Sequence, residues 1–126
     1  MRMVFAGTCL VVALAAVAHS SAAGQDKDEA PKYTIKEVMK KGQNKGGLYM
    51  KVLSGKASDA DAKTLLEMYQ SLAKQKPPAG DADSWKTKTT ALIEGAQLYV
   101  DGKKDDGLAK MRDAGNCMNC HKVHKG

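Results

Sequence analysis

The stretch Cys117-Met118-Asn119-Cys120-His121 lies five residues from the C-terminal end of a 126-residue chain. It determines how the rest of the sequence is interpreted. Helical positions i, i+3 and i+4 share one face, so both thiols and the imidazole would point to the same side of a helix. Two thiols at this spacing, followed at once by a histidine, form a pattern for covalent haem attachment. We expect thioether bonds from Cys117 and Cys120, and His121 as an axial ligand of the iron.

The same five residues have three other interpretations. A dithiol redox pair belongs near a βαβ pattern, and the sequence has no alternating strand pattern. A zinc site could add His121 and His124 to the cysteines, but four ligands on one helical turn cannot surround a tetrahedral ion. A disulfide between Cys117 and Cys120 would close a very small, strained loop. The haem interpretation is therefore favoured, and these three are kept as alternatives.

The N-terminal segment has the features of a secretory signal peptide. Arg2 supplies a positive start, residues 4–18 form an apolar run, and Ser21-Ala22-Ala23 is a small-residue cleavage site. We therefore predict a signal peptide over residues 1–23, which removes Cys9 on cleavage. The alternative is an anchor that is never cut.

Export agrees with the haem interpretation. After cleavage Cys117 and Cys120 are the only cysteines, so the mature chain has no disulfide framework to build. Cytochromes of this type mature outside the cytoplasm, so we expect a periplasmic protein with one haem c and its iron. No stable membrane insertion is expected once the signal is removed.

The charge balance indicates the kind of partner. The chain has 20 Lys and Arg against 14 Asp and Glu, a formal net charge of +6 at pH 7. The lysines are spread through every segment without an arginine cluster or interleaved aromatic residues, so nucleic-acid binding is not indicated. A lysine-rich surface favours acidic partner proteins, although it also serves solubility alone.

The remaining sequence predicts a flexible polar tether over residues 24–33 and a helical domain over residues 34–126. Thr34 and Glu37 fit a capping box, and Gly55 fits a helix end. Three glycines lie between them, Gly42, Gly46 and Gly47. They predict either a break in the first helix or a place where the backbone approaches a flat cofactor.

Three further helices follow from the apolar spacing and the capping signals. The second is expected from Ser58 to the region before Pro77, and the third from Asp83 or Ser84 to Gly102. The fourth is expected to begin near Asp105 and Asp106 and to run without a break into the cysteine stretch, which contains Met118. No two-residue alternation predicts a strand.

Four amphipathic helices with short connections predict an all-α fold, an antiparallel four-helix bundle that encloses one haem. A bundle of this size has a marginal apolar core. We therefore expect the haem to supply apolar surface and the haem-free chain to fold poorly.

With these features, residues 34–125 resemble the cytochrome c-prime family and its low-spin class II relatives. The resemblance rests on the haem motif near the C-terminal end and on Val52-Leu53-Ser54-Gly55-Lys56, which is similar to the turn that closes the family's first helix. It implies that Met39 faces the distal side of the iron and that Lys125 lies at the haem edge. It also implies pairing of two copies through the first two helices.

The family has an arginine near the haem propionates, and this sequence has Ile35 at that position. Lys32 or Lys36 would have to substitute for it. Met50 and Met68 do not lie at the distal position, and Met118 cannot reach the opposite face of the ring. His124 is expected to face solvent.

The sixth coordination position decides between two functions. A thioether ligand from Met39 makes the iron suited to electron transfer, which predicts an electron carrier rather than an enzyme. If Met39 only packs against the ring, the iron is five-coordinate and binds NO or CO. Peroxidase activity would be weak, because no distal His or Arg is expected to act as an acid–base pair.

Overall fold

The computed structural model describes residues 29–126, and this part of the chain is all-α, with no strand. The predicted signal peptide, residues 1–23, and the first part of the predicted tether lie outside the described residues. No helix within residues 29–126 is long and apolar enough to cross a membrane. The elements are α1 (Ile35–Glu37), the π-helical segment π1 (Val38–Gln43), α2 (Leu48–Leu53), α3 (Asp59–Ala73), α4 (Ala82–Val100), α5 (Lys104–Ala114) and α6 (Cys117–His124).

The chain is attached to α3 before the first helix begins. Lys32 forms an ion pair with Glu67 at 2.6 Å. The backbone N–H of Tyr33 donates to the hydroxyl of Ser71 at 3.3 Å, and the carbonyl of Tyr33 accepts from the side chain of Gln75 at 2.8 Å. Lys32 and Tyr33, the last two residues of the predicted tether, are therefore held against α3 and the segment that follows it.

The first helical region begins as predicted and is then interrupted. The hydroxyl of Thr34 accepts from the backbone N–H of Glu37 at 3.2 Å, and the Glu37 carboxylate accepts from the backbone N–H of Thr34 at 2.9 Å. The break predicted from the glycines is present between π1 and α2. A Cβ on Gly47 would lie 2.5 Å from the carbonyl oxygen of Gly42, so only glycine fits at this point of the break.

Helix α3 supplies much of the core. Ser58 caps it by accepting from the backbone N–H of Asp61 at 3.1 Å, as predicted. Its buried hydrophobic residues recur at helical spacing and pack against α4. They are Ala62, Leu65, Leu66, Met68, Tyr69 and Leu72.

Helix α4 begins earlier than predicted. Its cap is Asp81, whose carboxylate accepts from the backbone N–H of Ser84 at 2.9 Å, and not Asp83 or Ser84. Gly80 has a φ of +82°, so the chain turns there and places Asp81 at the start of the helix. The helix ends before Gly102, which has a φ of +92°, as predicted.

Helices α4 and α5 cross at two glycines that leave no room for a side chain. A Cβ on Gly107 would lie 2.6 Å from the backbone nitrogen of Tyr99 and 2.7 Å from the carbonyl oxygen of Gly95. A Cβ on Gly95 would lie 2.8 Å from the side chain of Met111, which is fully buried. The backbones therefore approach closely, and this contact fixes the position of α5 on α4.

The predicted fourth helix is two helices. Helix α5 ends at Ala114, and α6 begins at Cys117 with Asn116 as its cap, accepting from the backbone N–H of Met118 at 3.0 Å. Gly115 lies against Tyr49, since a Cβ there would be 2.6 Å from the Tyr49 ring and hydroxyl. The prediction of one continuous helix was therefore wrong, because this contact and the new cap redirect the chain.

Candidate functional site

A cavity of about 200 Å³ lies where the helical segments meet. Segment π1 and helix α6 supply its chemically active side chains, and α3, α4 and α5 supply one apolar residue each. The lining residues are Met39, Gln43, Asn44, Leu72, Leu92, Ala114, Gly115, Asn116, Cys117, Cys120 and His121. Four of the residues singled out from the sequence therefore surround one space.

Helix α6 presents Cys117, Cys120 and His121 to this cavity. Asn116 starts the helix directly before Cys117, so Cys117, Cys120 and His121 occupy helical positions i, i+3 and i+4. Both cysteines are free thiols; Cys117 is exposed and Cys120 is half-buried. His121 is exposed. A ring lying along this face would meet both thiols and the imidazole.

The environment of Cys120 argues against the dithiol alternative. Burial raises the pKa of the Cys120 thiol, and the nearby Lys88 ammonium opposes this only in part. Redox cysteines act as thiolates, which a raised pKa disfavours. Within residues 29–126 no group of three or more His, Cys, Asp or Glu side chains is arranged to hold a metal ion.

Met39 lies on π1 and lines the same cavity as the attachment residues. It is half-buried and packs against the hydrophobic core. π-Helical turns are rare and often occur at functional sites. Met39 is thus the one methionine among the described residues that shares the cavity with His121.

The other methionines considered for the iron lie elsewhere. Met68 is buried in the core at 3 % exposure, and Met50 is exposed at 43 %. Met118 is 57 % exposed. The apolar face of α5 ends with the helix, and the separate start of α6 turns Met118 outward.

The basic residues expected near a haem edge do not line the cavity. Lys125 is exposed and follows the last residue of α6. Lys32 is paired with Glu67, and Lys36 is exposed on the turn that contains Ile35.

Gln43 is a lining residue that the sequence reasoning missed. Its amide nitrogen donates to the hydroxyl of Tyr69 at 2.8 Å. Its amide oxygen is buried and has no hydrogen-bond partner among the described residues. Gln43 follows Met39 by four positions, and that spacing could have indicated a shared face.

His124 is buried at 3 % exposure, so the expectation that it faces solvent was wrong. Its Nδ1 lies 2.9 Å from the carbonyl oxygen of Ala79, and its Nε2 lies 3.1 Å from the hydroxyl of Ser84. Both ring nitrogens have partners, which makes burial of the imidazole tolerable. The sequence could not reveal this, because Ala79 and Ser84 lie 45 and 40 residues earlier in the chain.

The residues present fit a haem. The cavity lining is mostly apolar, it has two thiols and an imidazole along one helix, and it has a thioether on another segment. Comparison of the chain with protein families, with curated proteins and with solved structures found no match.

Proposed function

We propose that the protein is an exported mono-haem c-type cytochrome that carries single electrons. The observation that carries this proposal is the meeting of Cys117, Cys120, His121 and Met39 at one cavity, although they come from two distant parts of the chain. The proposal includes a four-helix bundle around the haem and the relation to the cytochrome c-prime family that the sequence suggests.

Each residue of the site has a distinct task in this proposal. Cys117 and Cys120 would hold the haem covalently, His121 would bind the iron, and Met39 would be the sixth ligand. The bound iron would supply a centre that alternates between the ferrous and ferric states. Lys125 would lie near the haem edge, where its charge favours negatively charged groups.

The protein itself contributes a dry environment and a fixed orientation. Leu72 and Leu92 line the cavity and are buried at 2 % and 6 % exposure, so they exclude water from its inner side. His121 and Cys117 are exposed, so the other side faces solvent. A redox centre with one edge near the surface can exchange electrons with a docked protein.

A second candidate function is binding of NO or CO at a five-coordinate iron. The side-chain amide of Gln43, which lines the cavity together with Met39, favours this candidate. The NH2 group of this amide has a second N–H besides the one donated to Tyr69, and an N–H can donate to bound NO or CO. This function requires that Met39 packs in the cavity without binding iron.

Periplasmic location and acidic redox partners belong to the same proposal. The positive formal charge, +6 for the whole chain and +5 once signal cleavage removes Arg2, would speed association with acidic proteins, and added salt would slow it. Pairing of two copies through the first two predicted helices, which the family resemblance implies, also belongs to the proposal.

The test is an absorption spectrum of the protein produced with a haem-attachment system, measured oxidised, reduced, and reduced under CO. A low-spin spectrum that CO does not change supports the electron carrier, and a high-spin spectrum that CO shifts supports the gas-binding candidate. Absence of covalent haem contradicts both. A Cys117→Ser and Cys120→Ser double variant is the control for covalent attachment, and His121→Ala should retain attachment but lose the normal spectrum.

A further inference from the structure

His124 ends helix α6 and is held by two hydrogen bonds to other parts of the chain. Its Nδ1 lies 2.9 Å from the carbonyl oxygen of Ala79, and its Nε2 lies 3.1 Å from the hydroxyl of Ser84. A carbonyl oxygen only accepts, so Nδ1 donates; in the neutral ring Nε2 then accepts from Ser84. The bonds join α6 to the α3–α4 loop and to the first turn of α4.

The imidazole of His124 is tightly packed. The ring of Trp85 packs edge-on against the imidazole, with centroids 5.3 Å apart. Gly80 has a φ of +82°, and a Cβ there would lie 2.9 Å from Nδ1 of His124 and 2.6 Å from the carbonyl oxygen of Val123. The loop therefore passes directly over the end of α6, and the imidazole has little freedom to move.

The orientation of α6 depends on such contacts because α6 does not continue α5. Gly115 and Asn116 separate the two helices. Near its middle, α6 is held by the Lys88 ammonium, which donates to the carbonyl of Asn119 at 2.6 Å. The Lys88 side chain is long and this contact is exposed, whereas both hydrogen bonds of His124 are half-buried. His124 is thus the firmest attachment at the far end of the helix.

We infer that His124 is a positioning residue for the proximal side of the site. It does not line the cavity, so it would act through α6, by fixing the rotation of the helix and hence the direction of Cys120 and His121. This inference rests on the proposed haem function. It assigns His124 a role in ligand geometry in addition to any role in stability.

The test uses the full-length holoprotein and two measurements, the haem midpoint potential and the free energy of unfolding. The variants are His124→Ala, Ser84→Ala, which keeps the imidazole but removes one partner, and His124→Asn, which can still donate to Ala79. The matched control is Lys122→Ala, an exposed residue of the same helix.

A less firmly held imidazole stabilises the ferric state less, so His124→Ala should raise the potential. Removing a group hydrogen-bonded directly to a metal ligand typically changes metal affinity by about 10- to 100-fold; His124 acts on His121 only through the helix, so we take the lower end of that range. We expect about a tenfold change in the ratio of reduced to oxidised haem at the wild-type midpoint, which for one electron is about 59 mV. Ser84→Ala should raise the potential less than His124→Ala does. His124→Asn should also raise it less than His124→Ala, because it can still donate to Ala79. Lys122→Ala should leave the potential unchanged.

The inference is overturned if His124→Ala and Ser84→Ala lower the free energy of unfolding but keep the wild-type potential. If His124→Ala does not accumulate, Ser84→Ala decides the question alone. Failure of the wild-type chain to bind haem covalently overturns the proposed function and this inference together. Covalent haem with unchanged potentials overturns only this inference.

Discussion

The side-chain amide of Gln43 donates a hydrogen bond to the hydroxyl of Tyr69 across 2.8 Å, and Tyr69 is fully buried. The oxygen of the same amide is enclosed without a partner in the part of the chain that the structure describes. A buried polar atom without a partner costs about 1–3 kcal/mol. The Gln43 amide, held by Tyr69, therefore lies beside a mostly apolar cavity and lowers the free energy of unfolding.

Tyr69→Phe should destabilise the protein, because it leaves both polar atoms of the Gln43 amide without partners. We expect a loss of about 1–3 kcal/mol in the free energy of unfolding, measured by denaturant titration. Adding Gln43→Leu to Tyr69→Phe should recover most of that loss, since two apolar groups then replace the polar pair. Additive losses in the double variant would show that the two side chains are not coupled.

The stability of the protein should fall at alkaline pH, in part through Tyr69. Burial raises the pKa of Tyr69 above its ordinary value, with a smaller contribution from Tyr49. The folded state thus holds this proton more tightly than the unfolded state. The contribution of the Tyr69 proton to the free energy of unfolding is fully present below the usual tyrosine pKa of about 10. It is lost as the pH rises from there through the raised pKa of the folded state. Denaturant titrations between neutral pH and pH 11 should show a smaller decline for Tyr69→Phe, and parallel declines would refute this account.

Met39→Ala should convert low-spin haem to high-spin haem that binds CO, if the thioether of Met39 is the sixth ligand. The physical reason is the loss of the axial ligand opposite His121. Met50→Ala is the matched control, because Met50 is 43 % exposed and lies outside the cavity. An unchanged absorption spectrum in Met39→Ala would show that Met39 is not an iron ligand. If the wild-type spectrum is also high-spin, the gas-binding function is favoured.

Gly107→Ala should destabilise the crossing of α4 and α5. The added methyl group would lie 2.6 Å from the backbone nitrogen of Tyr99, and backbone atoms cannot move aside cheaply. We expect a loss of about 1–3 kcal/mol, measured by thermal or denaturant unfolding. Gly46→Ala is the control: no atom lies within 4 Å of its Cβ, so its stability should be equal to or slightly above that of the wild type.

Local signals in the sequence predicted the parts of the fold that depend on a few neighbouring residues. The caps at Thr34 and Ser58 and the glycine ends at Gly55 and Gly102 are present as expected. The predictions of these features were correct because each feature is determined by one side chain, or by one positive φ, within three or four residues. The all-α class follows from the same apolar spacing.

The features that the sequence missed depend on contacts between distant segments. The division between α5 and α6 reflects the approach of Tyr49 to Gly115, and the burial of His124 reflects Ala79 and Ser84. In the candidate site, the motif indicated Cys117, Cys120 and His121 from spacing alone. Gln43 was missed because a polar residue on an amphipathic segment is normally expected to face solvent.

The separation of α6 from α5 has a consequence for the way in which the chain can open. Residues 29–114 contain the α3–α4–α5 core, and among the hydrophobic residues of α6 only Cys120 packs against that core. The far end of α6 is held by His124, which bonds to the α3–α4 loop and to the first turn of α4. A short helix held in this way can open without unfolding the core. Withdrawal of His124 from beneath Gly80 would therefore release Cys117, Cys120 and His121 together from the cavity while the core stays folded.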